Sequence, residues 1–463
     1  MAKTTHIAVF TIPVFTHQAS IIELCKRLHL HHHFHITCIF PTINSPILST
    51  TMLLKSLPST AISHIFLPPV NEQDLPHQDV SPQTKVQLAV SQSMQSFRDT
   101  LASLRASSTT PPLAALVVDA FANEALEIAK EFDLASYVYI VTSAMTLSLL
   151  LHLPTLHEEV ACEYKDCVEG IRIPGCVSIQ GRDLPDDFQD RSSFAYELIL
   201  QRSKRFDLAC GFLVNSFCEM EENVVTAFHE DGKVNVPIYL VGPVIQTGPS
   251  SESNGNSECL SWLENQMPNS VLYVSFGSVC ALTQQQINEL ALGLELSGKK
   301  FLWVFRAPSD VDVKNDDPLK FLPHGFLERT KEQGLVITSW APQTQILSHT
   351  STGGFVTHCG WNSTVESIVA GVPMITWPLC AEQRMNAALV TEGLRVGLRP
   401  KFRENDGIVE KEETAKVVKN LLGDEGKGIR QRIGKLKDAA ADALKEHGRS
   451  TSALFQFVTQ LEN

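Results

Sequence analysis

Residues 353–373 leave the chain few ways to fold. Positions 353–357 form a short apolar run, and His358, Cys359 and Gly360 supply a turn. Val365, Ile368 and Val369 then recur at helical spacing until Gly371 and Pro373 stop the helix. The spacing predicts strand, turn and helix in succession. Ser363 and Glu366 stand as in a capping box, which sets the helix N-terminus near Asn362 and Ser363. Such an end offers unpaired N–H groups and the positive end of the helix dipole, a site suited to an anion.

The same alternation runs through the chain. Residues 7–10 read as a buried strand, 11–15 as a loop, and Ile21, Leu24, Cys25 and Leu28 share one helix face; 36–40 is the next strand. Further strands are expected at 113–118, 137–141, 211–215 and within 236–243. A second series lies at 270–275, 300–306, 334–339, 353–357 and 372–377. Between the two series, 246–258 reads QTGPSSESNGNSE, without apolar periodicity, and is expected to be a linker. The fold class is therefore α/β, two Rossmann-like doubly wound parallel-sheet domains at 1–245 and 259–463, the last helix packing back on the first. No GxGxxG follows the first strand, which removes the nicotinamide and flavin fingerprint. Helices are expected at 411–422 and 428–446.

A net charge of −13 and the lack of a basic stretch argue against nucleic acid or an anionic membrane surface as partner. Eleven scattered cysteines without CxxC spacing suit a reduced protein better than a disulfide scaffold or a zinc site. No apolar run approaches a membrane span and the N-terminal run is too short for a secretory signal, so a cytoplasmic location is expected.

In an open parallel sheet, chemistry gathers at the carboxyl ends of strands. His17 lies where the first loop becomes a helix, and a helix N-terminus disfavours the imidazolium, keeping the ring able to accept a proton. Asp119 ends the apolar run 113–118, as a helix cap or as a group facing the crevice. Thr142 follows another strand, and the Gly277/Ser278 turn a third; Thr283 and Gln286 have capping-box spacing. The patch His29, His31, His32, His33 and His35 reads as a solvated helix end, and the DxD at Asp310, Val311 and Asp312 as solvated surface rather than a metal site.

The stretch 340–383 closely resembles the nucleotide-sugar signature box of plant family-1 glycosyltransferases, with Trp340, Ala341, Pro342, Gln343, His358, Cys359, Gly360, Trp361, Asn362, Ser363, Glu366, Gly371, Pro373 and Pro378 in place. The resemblance covers nearly the whole chain and implies the GT-B fold. It implies that Trp340 stacks on uracil, that Ala341 and Gln343 meet base and ribose, and that Glu366 takes the ribose hydroxyls. His358, Asn362 and Ser363 would hold the diphosphate, with Ser278 approaching from the other side. Trp361, Glu382, Gln383 and Thr142 would face the sugar. Glu382 stands where the family more often has Asp, and closing Gln383 goes with glucose. His17 occupies the position of the family's catalytic base, Asp119 that of its partner, and Phe15 and Phe121 would line the acceptor pocket. Thr16 stands where Gly is commoner, and THQAS lacks the proline common after the histidine.

The resemblance implies a monomeric, inverting, UDP-glucose-dependent O-glucosyltransferase. It would act on a small phenolic acceptor, a flavonoid, isoflavonoid, simple phenol or monolignol, without metal or other cofactor. Attack through carbon, giving a C-glucoside, is the alternative within the same scaffold; a UDP-sugar-binding protein without turnover is the alternative outside it.

Overall fold

The computed structural model describes residues 5–57, 62–75, 81–108, 110–231, 236–246, 254–311, 317–338 and 340–462. It resolves into two compact units. The first comprises Met1–Cys176, Asp187–Thr247 and Asp442–Asn463; the second comprises Val177–Asp186 and Gly248–Ala441. Of the linker expected at 246–258, residues 247–253 lie outside the described residues, and the helix Asn254–Glu264 begins immediately after them.

The first unit carries seven parallel strands: β1 His6–Phe10, β2 His35–Phe40, β3 Ile62–Phe66, β4 Leu113–Asp119, β5 Ala135–Ile140, β6 Phe212–Val214 and β7 Ile238–Leu240. Their spatial order is β3-β2-β1-β4-β5-β6-β7. The central strands are largely apolar because helices cover both faces, and β1 is buried along its whole length. The helix Phe15–His32 buries Ile21, Leu24, Cys25 and Leu28 and ends at His33, whose left-handed backbone (φ 57°) closes the last turn. His29, His31, His32 and His33 of the histidine patch form the end of this helix while His35 opens β2, and the His29 ring bonds the Phe34 carbonyl oxygen at 3.1 Å.

The second unit carries six parallel strands: β8 Val271–Ser275, β9 Lys300–Val304, β10 Gly334–Ile337, β11 Thr352–Thr357, β12 Met374–Thr376 and β13 Gly397–Leu398. They are ordered β10-β9-β8-β11-β12-β13. Thr283 caps the helix Gln284–Ser297 as expected, its hydroxyl accepting the Gln286 N–H at 3.3 Å. Asp310 assists that end by accepting the Gln284 N–H at 2.8 Å, so this carboxylate has a capping role; Asp312 lies outside the described residues.

Among the elements the sequence reading did not give are β3, β13 and a final helix, Arg449–Glu462. That helix places Leu454, Phe457 and Val458 in the core of the first unit with Ile7, Ile36 and Tyr137. The cysteine reading needs a correction. Cys280 and Cys380 are joined in a disulfide, while Cys25, Cys38, Cys162, Cys167, Cys176, Cys210, Cys218, Cys259 and Cys359 are thiols. Scatter along the sequence hid this pair because the sheet brings the two loops together.

Candidate functional site

Each sheet reverses its winding direction once, and ligands bind at such switch points, beyond the carboxyl ends of the two strands involved. In the first unit the reversal falls between β1 and β4. The helix after β1 delivers His17 in its first turn, and β4 ends in Asp119. His17 Nδ1 lies 2.8 Å from Asp119 Oδ2, the histidine side chain 16% exposed and the carboxylate fully buried. The same oxygen accepts the Thr11 hydroxyl at 3.3 Å, and Oδ1 accepts the Phe121 N–H at 3.0 Å. Asp119 therefore fills both roles open in the sequence, capping the turn Ala120–Ala122 and orienting the histidine. With Nδ1–H given to the carboxylate, the neutral ring carries its basic lone pair on Nε2. Phe121 meets the His17 ring edge to face, centroids 5.6 Å apart, and Phe15 and Phe121 are both half-buried.

Thr142 is buried directly after β5, next to Ser143, which caps the helix Ala144–Glu159. The N–H groups of Ala144 and Met145 are taken by Glu221, at 3.0 and 2.8 Å, and the same carboxylate accepts the Ser216 hydroxyl at 2.6 Å. This helix end thus holds the protein's own carboxylate, whose pKa burial pushes upward. Of the aromatics in the irregular region, Phe188 and Tyr196 are core residues, Tyr196 bonding Tyr164 through its hydroxyl, and Phe194 is exposed.

In the second unit the reversal falls between β8 and β11. After β8 come Gly277, with φ 73°, and the exposed Ser278; after β11 comes the turn His358–Gly360. A Cβ on Gly277 or Gly360 would lie 2.6 or 2.5 Å from His358 Nε2, so the ring fits between two positions that only glycine leaves open. Desolvation lowers the His358 pKa to about 4, which keeps the ring neutral.

The capping-box reading of Ser363 and Glu366 is overturned. The helix is Trp361–Ala370, its N-cap is Gly360, and no side chain caps it. Ser363 and Glu366 turn instead to Gln343, whose Nε2 donates to Ser363 Oγ at 3.0 Å and to Glu366 Oε2 at 2.7 Å. Burial raises the Glu366 pKa to about 7, with Gln343 opposing the shift. Near this cluster in sequence, Trp340 is 59% exposed, while Ala341 is buried. Trp361 is buried at the helix start and Asn362 is half-buried. Glu382 sits at the N-terminus of the helix Gln383–Ala388, and the Gln383 side-chain oxygen accepts the N–H groups of Leu379 and Cys380 at 2.8 and 3.0 Å. Gln343, His358, Trp361, Asn362, Ser363 and Glu366 thus converge at the end of β11, with the loop after β8 against them.

Sequence reasoning missed Thr11, the Cys280–Cys380 bridge between the loops after β8 and β12, and Arg399, which pairs with Asp183 at 3.0 and 2.6 Å. None carries a local signal, since each depends on contacts between distant segments.

Known proteins place this arrangement. The sequence profile described as "UDP-glucoronosyl and UDP-glucosyl transferase" matches residues 250–423. Hydroquinone glucosyltransferase of Rauvolfia serpentina is 46% identical, covering 100% of this chain and 99% of its own length. Two solved structures share the architecture over at least 99% of both chains. Phytolacca americana UGT2, complexed with UDP-2-fluoro-glucose and pterostilbene, has TM-score 0.91 at 43% identity. A Polygonum tinctorium UDP-glucosyltransferase capable of glucosylating indoxyl, in complex with 3,4-dichloroaniline, has TM-score 0.92 at 44% identity. With two Rossmann-like sheets, a signature box in place and relatives matched end to end, the chain belongs to the plant family-1 UDP-glycosyltransferases of GT-B fold, in the branch of the hydroquinone glucosyltransferase.

Proposed function

We propose that this enzyme transfers glucose from UDP-glucose to a hydroxyl of a small phenol, with inversion, His17 acting as general base. The observation that carries the proposal is the 2.8 Å contact between His17 Nδ1 and the buried Asp119 carboxylate, which fixes the tautomer with a basic Nε2. As the phenolic oxygen attacks the anomeric carbon, its proton passes to Nε2 and the bond from that carbon to the UDP oxygen breaks. The products are a β-glucoside, UDP and a proton held on His17. Asp119 stabilises the imidazolium, as a carboxylate does in a serine-protease triad. The leaving diphosphate gathers charge, which the N–H groups opening the helix Trp361–Ala370 and the neutral His358 would stabilise. Trp340, Gln343, Ser363 and Glu366 would hold the nucleoside; Trp361, Glu382 and Gln383 would hold the glucose. The named substrate of the hydroquinone glucosyltransferase and the pterostilbene bound to the Phytolacca enzyme, both phenols, support the acceptor class. No step calls for a metal, and a cytoplasmic monomer remains our reading.

Incubation with UDP-glucose and a mixture of simple phenols, coniferyl-type alcohols, flavonols and isoflavones, with products read by mass spectrometry, is the test. Hexose-bearing products are expected, falling by about 10²- to 10⁴-fold in His17→Ala. Equal activity in the variant would refute His17 as the base. A product resistant to acid hydrolysis would mean transfer to carbon.

A further inference from the structure

Asn386 lies three residues beyond the signature box, on the helix Gln383–Ala388, and is fully buried. Its Nδ2 donates to the Cys359 carbonyl oxygen at 2.9 Å and approaches Glu382 Oε1 at 3.4 Å. Two acceptors on that side settle the orientation of the amide. Its Oδ1, also buried, meets no partner among the described residues. A buried amide with one unmet group costs stability relative to an apolar side chain of similar size, so folding alone does not account for Asn386.

The amide holds the centre of the turn His358–Gly360. Cys359 has φ 64°, a left-handed conformation unfavourable for a residue with a Cβ. Two hydrogen bonds hold its peptide groups on either side: the Thr357 hydroxyl accepts the Cys359 N–H at 3.1 Å, and Asn386 takes the carbonyl. A peptide flip at Cys359 would turn the backbone that sets the His358 ring on one side and the first N–H groups of the helix Trp361–Ala370 on the other. The same nitrogen also reaches the carboxylate of Glu382.

We propose that Asn386 is a positioning residue for the donor, coupling the turn that receives the diphosphate to the carboxylate that receives the sugar. The inference rests on the donor site proposed for this enzyme, and it assigns Asn386 no contact with substrate. Its action is confined to the diphosphate and sugar ends of the donor, because Trp340, Gln343 and Glu366 do not touch it through any of these bonds.

The test is calorimetric binding of UDP, UDP-glucose and uridine to the full chain and to its Asn386→Leu and Asn386→Ala variants. Asn386→Leu keeps the volume and removes the donor without adding a buried charge, so it guards against misfolding of the smaller variant. UDP and UDP-glucose are expected to bind about tenfold more weakly to both variants, and uridine within about twofold of wild type. In turnover, KM for UDP-glucose would rise with little change in kcat. Unchanged UDP affinity, or a parallel loss for uridine and UDP, would overturn the inference while leaving the donor site standing. A wild-type chain that fails to bind UDP would overturn the donor site itself and the inference with it.

Discussion

At the scale of single residues, charge state decides how the proposed chemistry runs. Asp119 is buried and meets three donors, so Asp119→Asn should keep the fold and lose the carboxylate that selects the His17 tautomer. We expect kcat to fall by about 10²- to 10⁴-fold with little change in UDP affinity, measured by steady-state kinetics beside UDP titration. Glu366 gives a prediction in pH. Burial raises its pKa to about 7, so in the free enzyme the carboxyl takes up a proton as pH falls through that value. Ribose hydroxyls donating to it favour the ionised form, so binding expels that proton. UDP affinity should fall by up to about tenfold per unit below pH 7, with proton release visible in buffers of different ionisation enthalpy. Glu366→Gln should bind UDP more weakly and lose this component; the phosphate's own titration is common to both proteins. Identical pH profiles would exclude Glu366 from the ribose site.

At the scale of elements, the Cys280–Cys380 bridge ties the loop after β8 to the loop after β12, on either side of β11, and spans 100 residues of sequence. Closing so long a loop in the unfolded chain is worth up to about 4–5 kcal/mol in the chain-entropy view. Reductant should therefore lower the Tm of the second unit by several degrees, at about 2–4 °C per kcal/mol for a unit of this size. Cys280→Ser should match the reduced wild type in differential scanning calorimetry. A Tm indifferent to reductant would mean the bridge does not form. The bridge also marks where sequence ceases to be legible. Strands such as Leu113–Asp119 and Val271–Ser275 show as unbroken apolar runs because both faces are covered, and Gly371 and Pro373 stop their helix where expected. In Ile62–Phe66 polar residues interrupt the run, and Gly397–Leu398 is two residues long, so neither carries a usable period. For the candidate site, the helix start near Asn362 is legible in the local pattern, and the pairing of His17 with Asp119 in the family resemblance. Which partner Gln343 or Glu366 would choose was not, since the capping spacing of Ser363 and Glu366 competes with a side chain twenty residues away that wins both bonds.

At the scale of the molecule, the chain order and the units do not coincide, because Asp442–Asn463 belongs to the first unit although the second ends at Ala441. The helix Arg449–Glu462 buries Leu454, Phe457 and Val458 in the first unit's core, Gln460 accepts the Tyr239 hydroxyl, and Arg449 pairs with Glu222. Removing three buried side chains of this size costs roughly 2–5 kcal/mol each, which rivals the 5–15 kcal/mol stability of a typical domain. A chain ending at Glu446 should therefore lose the structure of the first unit. The five tryptophans, Trp262, Trp303, Trp340, Trp361 and Trp377, all lie in the second unit, whereas five of the six tyrosines, Tyr137, Tyr139, Tyr164, Tyr196 and Tyr239, lie in the first. The two units thus report separately. In the shortened chain, the unfolding transition monitored by tryptophan fluorescence should persist and UDP should still bind, while far-ultraviolet circular dichroism shows loss of the first unit's helices and glucosyl transfer ceases. A shortened chain with full transfer activity would mean the final helix is dispensable to the unit that carries His17 and Asp119.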